Sequence, residues 1–154
     1  METNIVEELQ FIATEGSCIK KLVGCRIVLG EEVLVEAPNE RPGKETCLDG
    51  KCYRCLASKQ FAHGRDHDLC SCLHAEQNAI SAAARKGIAL EGSWLYSSYQ
   101  PCLSCLKLIV GAGISAVRYA EAWEIPVVEE VPNLADDYKS LMAELEHGCE
   151  LIEA

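Results

Sequence analysis

The sequence predicts an α/β protein: a five-stranded mixed sheet layered between helices, with its last two strands parallel. Three observations carry that expectation. Apolar residues recur at helical spacing over Ile5–Ala13 and again over Ala75–Lys86. Short apolar and β-branched runs, separated by turn residues, supply the strands. Near the end, a helical stretch at Leu134–Glu146 separates a strand at Ser115–Ala120 from one at Cys149–Ile152. A crossover of that length makes the final pair parallel.

Taken in order, Ile5, Val6, Leu9, Ile12 and Ala13 line one face of the first helix. Lys21–Leu29 is apolar and β-branched, and Gly30-Glu31-Glu32 turns it into Val33-Leu34-Val35, which makes a hairpin. Residues 38–73 show no sustained periodicity and are punctuated by Pro38, Pro42, Gly43, Gly50 and Gly64. A structureless loop longer than about 15 residues is uncommon in a compact domain, so something other than apolar packing organises this one. Order resumes at His74. Ala75–Lys86 carries Ala75, Ala79, Ile80, Ala82, Ala83 and Ala84, with Arg85 and Lys86 in its last turn and Gly87 at the capping position. Ser93–Ser98 follows as a strand, and Pro101 takes the first position of a helix running from Cys102 to about Gly111. No repeat or linker interrupts the chain, so residues 1–154 read as one domain with a cysteine-rich loop at 38–73.

Composition narrows the partners. Fourteen basic against 24 acidic residues leave a net charge of −10, which opposes a nucleic-acid backbone or an anionic membrane surface. No apolar run approaches the ~18 residues of a membrane span. Met1-Glu2-Thr3-Asn4 is acidic and no signal-peptide core follows, so a cytoplasmic protein is expected. In that setting ten cysteines point to metal ligation rather than disulfides. Cys47, Cys52, Cys55, Cys70 and Cys72 fall within 26 residues, and Cys102 pairs with Cys105. Cys18, Cys25 and Cys149 lie among apolar neighbours and read as small buried hydrophobes.

Two local motifs carry chemistry. His74-Ala75-Glu76 opens one helix, and Pro101-Cys102-Leu103-Ser104-Cys105 opens another. Cys102 and Cys105 stand one helical turn apart at a helix N-terminus, where the dipole favours the thiolates a metal needs. With His74 they make a His-Cys-Cys set for zinc, and three protein ligands leave the fourth position open, as in catalytic rather than structural sites. Glu76, two residues past His74, suits general acid–base work beside such an ion. The less interesting alternative is a structural zinc with Glu76 on a solvated helix face. Cys52, Cys55 and Cys70, completed by Cys72 or Cys47, form a candidate second, structural zinc site, with His63 or His67 as substitutes. The loop's basic residues (Arg41, Lys44, Lys51, Arg54, Lys59, Arg65) are candidates for a phosphate, although its acidic residues nearly balance them.

The chain resembles the deoxycytidylate deaminase family of the zinc-dependent cytidine deaminase superfamily from about Leu22 to Glu153. The resemblance rests on Val23-Gly24-Cys25-Arg26-Ile27-Val28, Ala37-Pro38-Asn39, His74-Ala75-Glu76-Gln77-Asn78-Ala79-Ile80, and Leu95-Tyr96 leading into Pro101-Cys102-Leu103-Ser104-Cys105. It implies the three-layer α/β/α cytidine-deaminase-like sandwich, and its parallel-ended branch. It also implies hydrolytic release of ammonia from a cytosine nucleotide, with Glu76 moving the protons. By the same resemblance Asn39 contacts substrate, the backbone at Ala75 holds the pyrimidine carbonyl, and the Pro101 carbonyl accepts from the leaving amino group. Three positions depart from the family pattern. Glu40 replaces a glycine, Trp123 stands where a tyrosine is common, and Ser98-Tyr99-Gln100 replaces a threonine. A carboxylate at Glu40 opposes a phosphate, so an unphosphorylated base, nucleoside or triazine is the alternative substrate. A transfer-RNA adenosine deaminase shares both motifs but wants a basic surface this chain lacks, and a non-catalytic zinc module is the third option. The family resemblance implies a homo-oligomer, and the alanine-rich helix Ala79–Ala84 suits either a partner helix or burial against the sheet.

Overall fold

The computed structural model describes residues 4–18, 20–47, 70–125, 129 and 132–153. Its described elements are α1 (Ile5–Thr14), β1 (Gly24–Leu29), β2 (Glu32–Pro38), α2 (Ala75–Lys86), β3 (Trp94–Tyr99), α3 (Leu103–Gly111), β4 (Ala116–Glu121), α4 (Leu134–Ala143) and β5 (Cys149–Leu151). The strands lie in the order β2-β1-β3-β4-β5. β1 runs antiparallel to both β2 and β3, while β3, β4 and β5 run parallel. The expected mixed sheet with a parallel final pair is therefore what forms.

Alternation along β1 sorts the helices between two faces. Cys25 and Ile27 are fully buried and join the core that contains Ala75 and Ala79 of α2 and Cys105, Leu106 and Ile109 of α3. Arg26 instead points toward α1, pairing with Glu8 there and with Glu36 on β2. Asn4 caps α1, its side-chain oxygen accepting the Val6 N–H at 3.0 Å. Gly24 also faces α1, close enough that a Cβ would stand 2.1 Å from the Leu9 carbonyl oxygen and 2.8 Å from the Ala13 nitrogen. Both obstacles are backbone, so Gly24→Ala forces α1 off the sheet. Overpacking of this kind costs about 1–3 kcal/mol, and we expect the Tm to fall by roughly 3–10 °C for a domain of this size. Gly111→Ala is the control, since nothing lies within 4 Å of that position and it is helical. Thermal melts of the two variants check this, and an unchanged Tm for Gly24→Ala would refute the close approach of α1.

Ala75, Ala79, Ala82 and Ala83 all lie in the core. The small side chains of α2 thus bring the helix down onto the sheet, and are not a surface left over for a partner helix. Gly87 ends α2 in the left-handed region at φ 67°, as its capping position predicts. Several boundaries differ from expectation. Pro101 lies outside the helix it was expected to start, because Cys102 is extended (φ −72°, ψ 173°) and serves as the cap of α3. α4 stops at Ala143 rather than Glu146, before a turn that ends at Gly148. β1 begins at Gly24, the preceding residues belonging to a connection. No helix among the described residues is long and apolar enough to cross a membrane.

Candidate active site

Two helix starts meet above the sheet. His74 caps α2, where its backbone N–H donates to Gln77 Oε1 at 2.9 Å and so fixes the first turn. Cys102 caps α3, and Cys105 sits one turn in. This brings His74 Nδ1 to 3.4 Å from Cys102 Sγ and 3.2 Å from Cys105 Sγ. Glu76 is only 4 % exposed. Its Oε1 accepts from Ser97 Oγ of β3 at 3.2 Å, and its Oε2 lies 3.6 Å from Cys105 Sγ. The carboxylate is thereby aimed at the sulfur and imidazole cluster and held from behind by the sheet.

Electrostatics show what this cluster lacks. Burial lifts the Glu76 carboxyl above its ordinary range, with the His74 charge opposing the shift and Cys102 adding to it. Cys105 is pushed well up by the hydrogen bond to Cys102, by burial and by Glu76. Burial opposes the His74 imidazolium, but Cys102 and Glu76 outweigh it and raise His74 to about 9. The Cys105 thiol and the Glu76 carboxyl therefore resist ionising side by side, and a divalent cation removes that conflict. The donors fit zinc. His74 Nδ1 and the two sulfurs lie within 4.8 Å of one another. Tetrahedral zinc, with bonds of about 2.0–2.1 Å to nitrogen and 2.3 Å to sulfur, spaces such atoms roughly 3.6 Å apart.

Other expected site residues fall nearby in the chain's architecture. Asn39 is buried, its amide tied to the 21–23 connection: Nδ2 donates to the Lys21 carbonyl at 2.6 Å and Oδ1 accepts the Val23 N–H at 2.8 Å. Asn78 of α2 holds the same segment, donating to the Pro38 carbonyl at 2.9 Å and to Glu40 Oε1 at 3.3 Å. Ala75 is fully buried at the first position of α2. The Pro101 carbonyl accepts a 2.6 Å hydrogen bond from the hydroxyl of Tyr138 on α4. Sequence reasoning missed that contact. Tyr138 is fully buried, Gln100 Nε2 donates to its oxygen at 3.2 Å, and the Trp123 N–H donates to Gln100 Oε1 at 2.9 Å. Trp123 also lies ring against ring with Tyr138, 5.5 Å between centroids. Two of the residues that depart from the family pattern, Gln100 and Trp123, thus join Tyr138 in a latch around the Pro-Cys turn.

The remaining cysteines divide differently from expectation. Cys25 is buried in the core and Cys149 packs against it. Cys18 does not join them. It packs beside Cys47, Cys70 and Cys72, a grouping that its apolar sequence neighbours conceal. Cys52 and Cys55, with His63 and His67, lie outside the described residues.

A buried glutamate beside a His-Cys-Cys set at two helix starts is the residue pattern of the zinc-dependent deaminase signature. Comparison with known proteins agrees. Residues 2–121 match the model of the cytidine and deoxycytidylate deaminase zinc-binding region, and the chain belongs to that family. It is 33% identical over 125 residues to the deoxycytidylate deaminase of Schizosaccharomyces pombe, covering 80% of this chain and 38% of that protein. To the deoxycytidylate deaminase of Saccharomyces cerevisiae it is 36% identical over 114 residues, covering 73% and 35%. This chain thus spans little more than a third of those two relatives. Its fold matches the crystal structure of the dCMP deaminase from cyanophage S-TIM5 in complex with dCMP and dUMP, with a TM-score of 0.65 at 22% identity over 97% of this chain and 93% of the other.

Proposed function

We propose that this chain, acting as one domain, is a hydrolytic deaminase of a cytosine nucleotide of the deoxycytidylate type, converting the ring amine to a carbonyl with release of ammonia. The observation that carries the reading is the buried, uncharged-leaning Glu76 carboxyl facing the His74, Cys102 and Cys105 donors. Those three residues would hold zinc, which when bound supplies a Lewis acid that lowers the pKa of water toward ~7. Glu76 does the proton work. Its raised pKa suits a group that takes one proton from water and gives it to the ring nitrogen, then takes the second proton of that water from the added hydroxyl and gives it to the departing amine. Ser97 keeps one carboxylate oxygen in place, leaving the other to reach the reacting atoms.

Substrate placement falls to the surrounding backbone. The Ala75 N–H belongs to the first turn of α2, where no intrahelical partner exists, and is offered to the pyrimidine carbonyl. Asn39 uses one of its two amide hydrogens and one of its two lone pairs on the 21–23 connection among the described residues, and presents the others to substrate. The Pro101 carbonyl, polarised by Tyr138, faces the leaving amine. Large exposed apolar side chains, Phe11 at 70% foremost, support association of copies in the cytoplasm.

One observation favours a second reading. Glu40 is held beside α2 by Asn78 and by its backbone pair with Leu73, and a carboxylate next to Asn39 would repel a phosphate bound there. Ammonia release across deoxycytidylate, cytidylate, deoxycytidine, cytosine, guanine, adenosine and an amino-triazine decides between them. We expect deoxycytidylate to be turned over at least tenfold faster than deoxycytidine. Turnover confined to unphosphorylated rings would overturn the nucleotide assignment, and turnover of none would overturn the enzyme.

A further inference from the structure

Behind the Pro-Cys turn runs a chain of hydrogen bonds whose direction is fixed at every link. It starts at the backbone N–H of Trp123, which can only donate and gives its hydrogen to Gln100 Oε1 at 2.9 Å. The oxygen of that amide therefore faces Trp123 and the nitrogen faces Tyr138, whose hydroxyl oxygen accepts from Gln100 Nε2 at 3.2 Å. With its oxygen occupied in this way, the hydroxyl gives its own hydrogen to the Pro101 carbonyl at 2.6 Å. Separate elements hold the links in place. Gln100 directly follows β3, and its backbone N–H donates to the Glu121 carbonyl of β4 at 2.8 Å. Tyr138 stands in α4 and is fully buried. Burial also lifts its hydroxyl above the ordinary range, so it remains a donor. The carbonyl at the end of the chain belongs to the peptide that joins Pro101 to Cys102.

We propose that Tyr138 is a positioning residue which, through the Pro101 carbonyl, makes the site select a ring amine over the oxygen that replaces it. The inference rests on the deaminase reading above, in which that carbonyl faces the departing amine. A carbonyl oxygen has two lone pairs. Tyr138 takes one of them and pins the peptide, which leaves a single acceptor position and no donor. A ring amine brings the hydrogen that this position needs. A ring carbonyl, which hydrolysis puts in the amine's place, sets two oxygens face to face with no hydrogen between them. A site built to pair with a donor rejects an analogue that lacks one, because a polar group is left unmade. The chain cannot turn to relieve this. For Tyr138 to send its hydrogen elsewhere, Gln100 must turn its amide and lose the Trp123 N–H. One fixed acceptor thus holds the substrate and expels the product.

Steady-state ammonia release by the full zinc-loaded chain tests it, using the panel substrate turned over fastest and its deaminated product as inhibitor. Tyr138→Phe keeps the ring and removes the hydrogen. Gln100→Glu keeps the hydroxyl and redirects it, because the new carboxylate accepts from the Trp123 N–H and offers its other oxygen to the Tyr138 hydrogen in competition with Pro101. A freed carbonyl loses its aim on the departing amine, so we expect each variant to lower kcat about tenfold and to bind product about threefold more tightly. Substrate KM should move far less than kcat, and zinc content should stay at the wild-type value. The double variant should lose no more than either single one, since both remove the same hydrogen. Product and substrate weakened alike would overturn the proposal, because that is what general loosening of the turn does. Loss of zinc from both variants would also overturn it, leaving the chain a support for Cys102. Unchanged kinetics of both variants in an active wild type would sink this inference alone, whereas a wild type that turns over no panel substrate would sink the deaminase reading with it. Because Tyr138 is buried, Gln100→Glu decides the matter if Tyr138→Phe does not fold.

Discussion

Glu76→Gln will lower the rate of ammonia release by about 10²–10⁴-fold, equivalent to roughly 3–5 kcal/mol of barrier, while zinc content stays at the wild-type value. Glutamine keeps the shape and can still accept from Ser97, but it cannot take and return a proton. The stability effect runs the other way. Burial raises the Glu76 pKa in the folded chain. A carboxyl with a raised folded pKa adds stability below its unfolded pKa and loses that contribution as pH rises through the folded value. At neutral pH its ionised form therefore weighs against folding unless a cation sits beside it. In chelator-treated protein, Glu76→Gln should melt no lower than the wild type, and its advantage should shrink as pH is lowered toward the ordinary carboxylate range. A variant within tenfold of wild-type turnover would remove Glu76 from the chemistry. A variant that is inactive and also markedly less stable would show only that the residue holds the fold.

Cys105→Ala should abolish turnover and take one zinc ion with it. Cys105 is fully buried and sits at the centre of the cluster, 3.2 Å from His74 Nδ1 and 3.6 Å from Glu76 Oε2, so no neighbouring side chain or solvent can take over its role. Loss of a supporting outer-shell partner typically costs 10–100-fold; loss of a ligand should exceed the upper end of that range, about 10²-fold. Chelation and reconstitution separate ligand loss from misfolding. Wild-type protein stripped of metal should regain turnover when zinc is added back, and Cys105→Ala should not, although its circular dichroism remains that of a folded α/β chain. Recovery of the variant on adding zinc would mean that the site closes without this sulfur.

Both predictions rest on residues that the sequence exposes directly. His74, Glu76, Cys102 and Cys105 are legible because each motif is local: two or three residues at the start of a helix whose own periodicity is plain. The sheet order was less accessible, but the parallel pair followed from the length of one crossover. What sequence could not show was contact between distant segments. Cys18 stands 54 positions before Cys72, and nothing in its apolar surroundings separates it from Cys25, which does belong to the core. The same holds for Tyr138. Helical spacing marks it as buried, but only the packing of α4 shows that its hydroxyl reaches the Pro101 carbonyl. The alanines of α2 fitted either burial or association, and the closeness of the sheet decided for burial. Pro101 was misplaced by a residue or two for a different reason. A cysteine in extended conformation can cap a helix as well as enter it, and sequence does not distinguish the two.

The Tyr138 hydroxyl has a consequence for how such a protein changes over time. The family model matches residues 2–121, and Tyr138 lies beyond them. Yet this residue grips the carbonyl immediately ahead of Cys102, and Trp123, also beyond that boundary, holds Gln100, which donates to the Tyr138 hydroxyl. A segment outside the family match is thus in contact with the turn that carries Cys102. Edits to the tail can then shift the Pro101 carbonyl while His74, Glu76, Cys102 and Cys105 stay as they are.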